Sequence, residues 1–200
     1  LADSFNAMSR DLKRQFDALA ALAEVDRLLQ RSPDIEAILD RLLDVVTRTF
    51  GSGRIAVWLR FEADDRFHQV RSINLEEAPA ALAPSHPLVR ALGAAEGPLD
   101  LEVAGAGQDG EWASFREATR AALCAPLLFE GQLVGFVTLG AERGGESYGS
   151  DDRNLLRAVA HHASVLLAHA KMAEERRGAA DLEALHRLSA FCVHDLKNLA

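Results

Sequence analysis

Chemistry in this chain is concentrated near its carboxy end, where His194 is followed by Asp195, Lys197 and Asn198. An unprotonated imidazole on a rigid helix can attack a phosphoryl group, and a neighbouring carboxylate can orient it or take its proton. The apolar residues Leu182, Leu185, Cys192, Leu196 and Leu199, with Ser189 among them, recur at three-and-four spacing. With Cys192 as a d position, His194 falls at f, on the outside of a helical pair. By spacing alone the same pattern also describes a plain solvated helix face. A second motif, Gly105-Ala106-Gly107-Gln108-Asp109-Gly110, has the G-x-G-x-x-G form of a dinucleotide loop, with Glu130 twenty residues on. The apolar stretch before it is only a few residues long, and the run after it turns straight back as a hairpin. A surface loop is the better reading. His161 and His162 are adjacent and point to different helix faces, so they lack metal-binding spacing.

The elements that would position these groups follow from hydrophobic period. Phe5, Met8, Leu12, Leu19, Leu22 and Leu29 form a narrow heptad seam, suited to pairing with a second copy. Ser32-Pro33 then predicts the start of a second helix, with an apolar face of Ile35, Ile38, Leu39, Leu42, Leu43 and Val46. After Gly51-Ser52-Gly53 the period changes to two, and Ile55 to Phe61 reads as a strand that returns through Asp64-Asp65 into Phe67 to Ile73. A helix is expected near Pro87 to Leu92, a short strand near Leu99 to Val103, and a helix near Trp112 to Arg120. Ala122 to Phe129 and Gln132 to Leu139 flank Glu130-Gly131 as a buried hairpin. From Ser150 a long helix begins, with Asp151 and Asp152 favouring its N-terminus. Val159, Ala163, Leu166, Ala170 and Ala173 form its first seam, and the register shifts near Gly178, a joint at which a coiled coil locally unwinds or overwinds.

Composition bounds the function. The 200 residues carry 22 Lys and Arg against 30 Asp and Glu, a net charge of −8, which argues against nucleic-acid binding. With 48% hydrophobic and 26% charged residues the chain is a folded one, of a length for one domain plus extensions. Its longest apolar run, Ala121 to Phe129, is about half of the ~20 residues a spanning helix needs, and no basic start before an apolar core marks a signal peptide. Cys124 and Cys192, far apart in apolar surroundings, fit core thiols in a reducing compartment.

Three stretches resemble known families. Leu188 to Leu199, with His194-Asp195-Leu196-Lys197-Asn198-Leu199, resembles the H-box of sensor histidine kinases and is similar to that of the kinases associated with exosortase (PEP-CTERM) systems. The resemblance implies that His194 is the phospho-acceptor, Asp195 the assisting acid/base, and Asn198 a water-positioning residue in the reverse phosphatase reaction. Leu199 stands where many H-boxes carry Pro. Ala56-Val57-Trp58-Leu59, Ala125-Pro126-Leu127-Leu128, Gly131 to Val137 and the helix after Tyr148-Gly149-Ser150-Asp151-Asp152 together resemble a GAF domain. Leu1 to Ser9 resembles the tail of a HAMP linker, a module that follows a transmembrane helix.

These resemblances imply an α+β fold: a GAF-like antiparallel sheet with helices on both faces, flanked by N- and C-terminal coiled-coil signalling helices. The expected divisions are a HAMP tail and signalling helix over 1–19, a GAF domain over 20–172, and over 173–200 a signalling helix leading into the dimerisation helix. The implied function is the regulatory part of a two-component histidine kinase, a parallel homodimer on the cytoplasmic side of an inner membrane, with a response regulator as partner. ATP and Mg²⁺ would act in the full-length kinase, no cofactor is expected in these residues, and they should be inactive without the ATP-binding domain. A GAF module controlling another output, such as a diguanylate cyclase or a transcription factor, is the alternative. Trp58, Phe136 and Trp112 could line a small-molecule pocket, whose ligand the residues do not identify. Bilin attachment would need an exposed Cys with an adjoining His, unlike Cys124. Sulfoxide reductase chemistry needs several cysteines, and the cyclic-nucleotide signature is absent. His68 and His86 are read as surface residues rather than haem ligands.

Overall fold

The computed structural model describes residues 34–75, 79, 81–106, 110–141 and 147–197, with side chains as far as residue 177. The N-terminal seam and the HAMP-like stretch lie outside them. The first described helix, α1 (Ile35–Phe50), begins two residues later than Ser32-Pro33 predicted. Asp34 is its N-cap, with the carboxylate accepting from the Glu36 N–H at 3.0 Å. A carboxylate there satisfies one of the orphan amide donors and complements the helix dipole. The three-and-four spacing of Ile38, Leu39, Leu42, Val45, Val46 and Phe50 gives α1 one buried face. Gly51, at φ 60, closes the helix in the left-handed conformation that glycine adopts at little cost.

Six strands follow: β1 (Ile55–Phe61), β2 (Arg66–Ile73), β3 (Ala81–Leu82), β4 (Leu99–Asp100), β5 (Ala121–Phe129) and β6 (Gln132–Gly140). They form one antiparallel sheet in the order β3-β2-β1-β6-β5-β4. The β5–β6 turn is the expected Glu130-Gly131, both residues at positive φ (50 and 76), as a two-residue hairpin loop of matching twist requires. The strand expected over Leu99 to Val103 is shorter. After two residues, Asp100 turns its carboxylate onto the amides of Glu102 and Val103, at 3.0 and 3.2 Å. Those bonds start a helical turn, α2 being Pro87–Gly93 and this turn α3 (Leu101–Ala104).

Both faces of the sheet are covered. In β1, Ile55 and Val57 point into a core shared with α1 and with α5 (Ser150–Lys197), while Ala56 and Trp58 point into a second core under α2, α3 and α4 (Glu111–Thr119). All four are buried. Strand alternation therefore separates two apolar sets rather than an apolar from a polar one. The seam residues Val159, Ala163, Leu166 and Ala170 of α5 are buried in the first core. They pack on the chain's own sheet and on α1, so the heptad-like spacing serves intramolecular packing there. Ser164 reinforces that packing, its hydroxyl donating to the Leu128 carbonyl at 2.6 Å. The α5 backbone is helical across Gly178 as far as Lys197. The side chains that would define the shifted register fall outside the described residues.

Gly135 sits where β1, β6 and β5 meet in register with Leu59 and Leu127. A Cβ there would lie 2.3 Å from the Trp58 carbonyl and 2.8 Å from Leu59 Cδ2. A main-chain oxygen in mid-sheet cannot move aside without disturbing both ladders. Gly135→Ala should therefore cost about 1–3 kcal/mol, read as a fall in Tm. Gly53→Ala, with nothing within 4 Å of the added carbon, should stay within about 0.5 kcal/mol of the parent.

Candidate functional site

Helix α5 carries the sequence-predicted residues. His194 and Asp195 occupy consecutive positions of its backbone, three and two residues before its last residue Lys197. Their side chains, and Asn198 altogether, lie outside the described residues, so the geometry among the three is not set by the structure. What is set is their connection to the domain. Lys171 of α5 reaches Glu62, just beyond β1, with Nζ 2.6 Å from Oε1. The hydrogen bond and charge of Lys171 hold the Glu62 carboxyl below its ordinary value. From Lys171 to His194 the helix covers about 35 Å at its usual rise per residue. On the other side of the same core, Arg71 of β2 binds Asp40 at 2.8 Å and also Glu36, fastening α1 to the sheet.

The opposite face of the sheet holds the aromatic residues singled out from sequence. The Trp58 and Phe136 rings stack at 5.5 Å and 10°, Phe115 lies 5.6 Å from Trp58, and Phe67 lies 5.8 Å from Phe136. Their burial makes them core. Two polar atoms in this region are nonetheless buried without a hydrogen-bond partner: Trp58 Nε1, a donor, and Gln69 Oε1, an acceptor. Trp58 and Gln69 are directly paired across β1 and β2, so the two unsatisfied groups are cross-strand neighbours. Sequence reasoning missed Gln69, because a glutamine in a weakly alternating strand carries no sign of which face it takes.

His86 departs from its expected place on the surface. It is 7% exposed, caps α2 by accepting from the Leu88 amide at Nδ1 (3.2 Å), and lies edge-on to Phe115 at 6.1 Å. Burial pushes its imidazole below the ordinary value, opposed by Glu111, so the neutral ring that can accept is favoured. His68, by contrast, is partly exposed and sits 2.7 Å from Asp64 in the hairpin loop.

Gly105, the first glycine of the glycine-rich motif, serves packing. A Cβ on Gly105 would fall 2.1 Å from Trp112 Nε1 and 2.6 Å from the Leu101 carbonyl, the group to which that indole donates at 3.4 Å. The preceding β4 is two residues long and antiparallel to β5, the reverse of the parallel crossover a dinucleotide site requires. Gly107 to Asp109 lie outside the described residues. The Cys124 thiol is fully buried and its pKa is pushed well above the ordinary value, which keeps it protonated and unreactive. Among the described residues no cluster of His, Cys, Asp or Glu could hold a metal ion, and no helix is long and apolar enough to cross a membrane.

The GAF domain family model matches residues 34–167. Solved structures share the fold. The domain of a two-component sensor histidine kinase protein from Sinorhizobium meliloti is similar at 20% identity and a TM-score of 0.54, over 73% of this chain and 99% of that one. The GAF domain of an Acinetobacter phosphoenolpyruvate-protein phosphotransferase is similar at 19% identity and a TM-score of 0.58, over 77% and 94%. A GAF domain/HD domain protein from Geobacter sulfurreducens gives 20% and 0.56, over 70% and 95%. No curated protein matches the chain.

The depressed His86 pKa makes stability depend on pH. The unfolded chain, with His near 6.5, holds more protons than the folded one below that pH, so this contribution is complete above about 6.5 and is lost as the pH falls toward the folded value. His86→Asn keeps a good N-cap and removes the titration. Urea unfolding at pH 5.5 and 7.5 should show a smaller pH-dependent loss of stability in the variant than in the parent.

Proposed function

Because the chain belongs to the GAF domain family, a family of signalling modules, we propose that it is the regulatory portion of a two-component sensor histidine kinase, with His194 the phospho-acceptor. The observation that carries this reading is the continuity of α5. One helix packs its first half into the domain core and runs on to the His194-Asp195 pair, within a stretch resembling an H-box. A change in the domain then reaches the acceptor through main-chain hydrogen bonds rather than through a loop.

In the reaction, an unprotonated ring nitrogen of His194 attacks the γ-phosphorus of ATP, the bond to the bridging oxygen breaks, and ADP leaves. The phosphoryl group passes next to an aspartate of a response regulator. Asp195 holds the imidazole oriented and takes up its proton, and Asn198 positions water for the reverse hydrolysis. ATP and Mg²⁺ belong to a catalytic domain, for which these residues show no nucleotide-binding boxes. The resemblance of Leu1 to Ser9 to a HAMP tail supports reading the chain as the cytoplasmic part of an inner-membrane protein, paired with a second copy through parallel helices. The H-box wording aligns it with kinases of exosortase systems. As the sensory surface, the aromatic face supplies a donor at Trp58 and an acceptor at Gln69, which suit one polar group of a small ligand.

The reading is tested in the full-length receptor with γ-labelled ATP. His194→Gln should abolish phosphoryl incorporation while leaving the circular dichroism of the protein intact, and Asp195→Asn should slow it by about 10²-fold or more. Label retained in the His194 variant would refute the assignment.

A further inference from the structure

A cleft of about 420 Å³ opens on the α1/α5 face of the sheet, opposite the aromatic cluster. Its origin lies in strand pairing. The β1–β6 ladder stops at Leu59↔Gly135, whereas β1–β2 continues to Phe61↔Arg66 and β5–β6 to Phe129↔Gln132. The two hairpin tips therefore part, and α5 roofs the gap. The walls are apolar: Leu59 and Val134 from the strands, Leu167 and Ala168 from α5, Ile35 from α1. The rim is charged in both signs. Lys171 meets Glu62 at 2.6 Å and Arg60 meets Asp65 at 2.6 Å, and all four residues line the opening.

From this arrangement we infer a second ligand site, specific for a free amino acid with an apolar side chain. Charge complementarity selects that class. A ligand bearing only a carboxylate would attract Lys171 and Arg60 but meet the two carboxylates beside them; one bearing only an ammonium meets the opposite conflict. A zwitterion satisfies both signs at once, its carboxylate on Lys171 and Arg60, its ammonium on Glu62 and Asp65. Its side chain enters between Leu59, Val134 and Leu167. Exposed ion pairs of this kind contribute little to stability, so exchanging their partners for those of the ligand is undemanding. The volume is within the range of small-molecule sites, about 300–1,000 Å³. Occupancy frees Lys171 from Glu62 at the point where α5 leaves the sheet, which makes the site regulatory if the phosphoryl reading holds; binding itself does not depend on that reading.

Calorimetry on the whole chain, without nucleotide, tests the site using three probes of one shape: L-leucine, isocaproate, which lacks the ammonium, and isoamylamine, which lacks the carboxylate. Leucine should give saturable one-to-one binding, the other two at least tenfold weaker binding. Arg60→Gln and Glu62→Gln, both at solvent-accessible positions, should each weaken leucine at least tenfold with unchanged Tm. In amide and indole NMR spectra, leucine should move the resonances of Leu59, Val134 and Ala168 and leave the Trp58 indole in place. Three results overturn the proposal: no saturable heat from leucine, equal binding of a singly charged probe, or a shift confined to the Trp58 indole.

Discussion

Everything in this molecule depends on a sheet that must be buried on both sides. Over Ile55 to Trp58 each successive side chain of β1 enters a different core, and Leu123 and Cys124 of β5 divide in the same way. Burying a large apolar side chain is worth about 1.5–3 kcal/mol, so neither face can be left to water. The layer α1/α5 covers one face and the layer α2–α4 the other. That division of labour gives α5 its double character. Its early turns are committed to the first core through Leu156, Val159, Ala163 and Leu166, and its later turns continue past the domain.

The contrast between the faces follows from side-chain type. The face under α1 and α5 is mainly aliphatic, with Phe50 and Tyr148 as buried rings. The face under α2–α4 sets Trp58, Phe67, Trp112, Phe115 and Phe136 among leucines, and the polar edges of its Trp and His rings must find partners. Trp112 finds one in Leu101, and His86 finds one in Leu88. Trp58 does not, nor does the Gln69 carbonyl beside it. A polar group left without a partner in a well-packed core is a standing cost.

The strands β1, β2, β5 and β6 were legible because period-two alternation and the Glu130-Gly131 turn are local signals, whereas the two-residue β3 (Ala81–Leu82) is too short to show a period and was not read. The short strand and chain reversal expected around the glycine-rich stretch are present in β4, but the reason Gly105 is glycine, the indole of Trp112 pressed against it, is a tertiary fact that spacing cannot carry. His86 was misplaced for a related reason: a histidine before a proline reads as a surface turn, and only the packing of Phe115 and Glu111 against it shows that the ring is inside. The start of α1 was misread by two residues because Ser32, Pro33 and Asp34 all favour a helix start, and the carboxylate at 34 provides the cap. The reading of His194 as a functional residue rests on resemblance alone, since a lone histidine on a helix is physically ordinary.

The length of α5 converts angle into distance. Its base is seated on the sheet by Ser164 and tied at Lys171, and about 35 Å of uninterrupted helix separates that tie from His194. As a stiff lever pivoting there, it would carry the backbone at His194 through about 3 Å for a tilt of roughly 5°. Rearrangements too small to disturb either core are thereby large enough, at the far end, to decide which groups are in reach of one another.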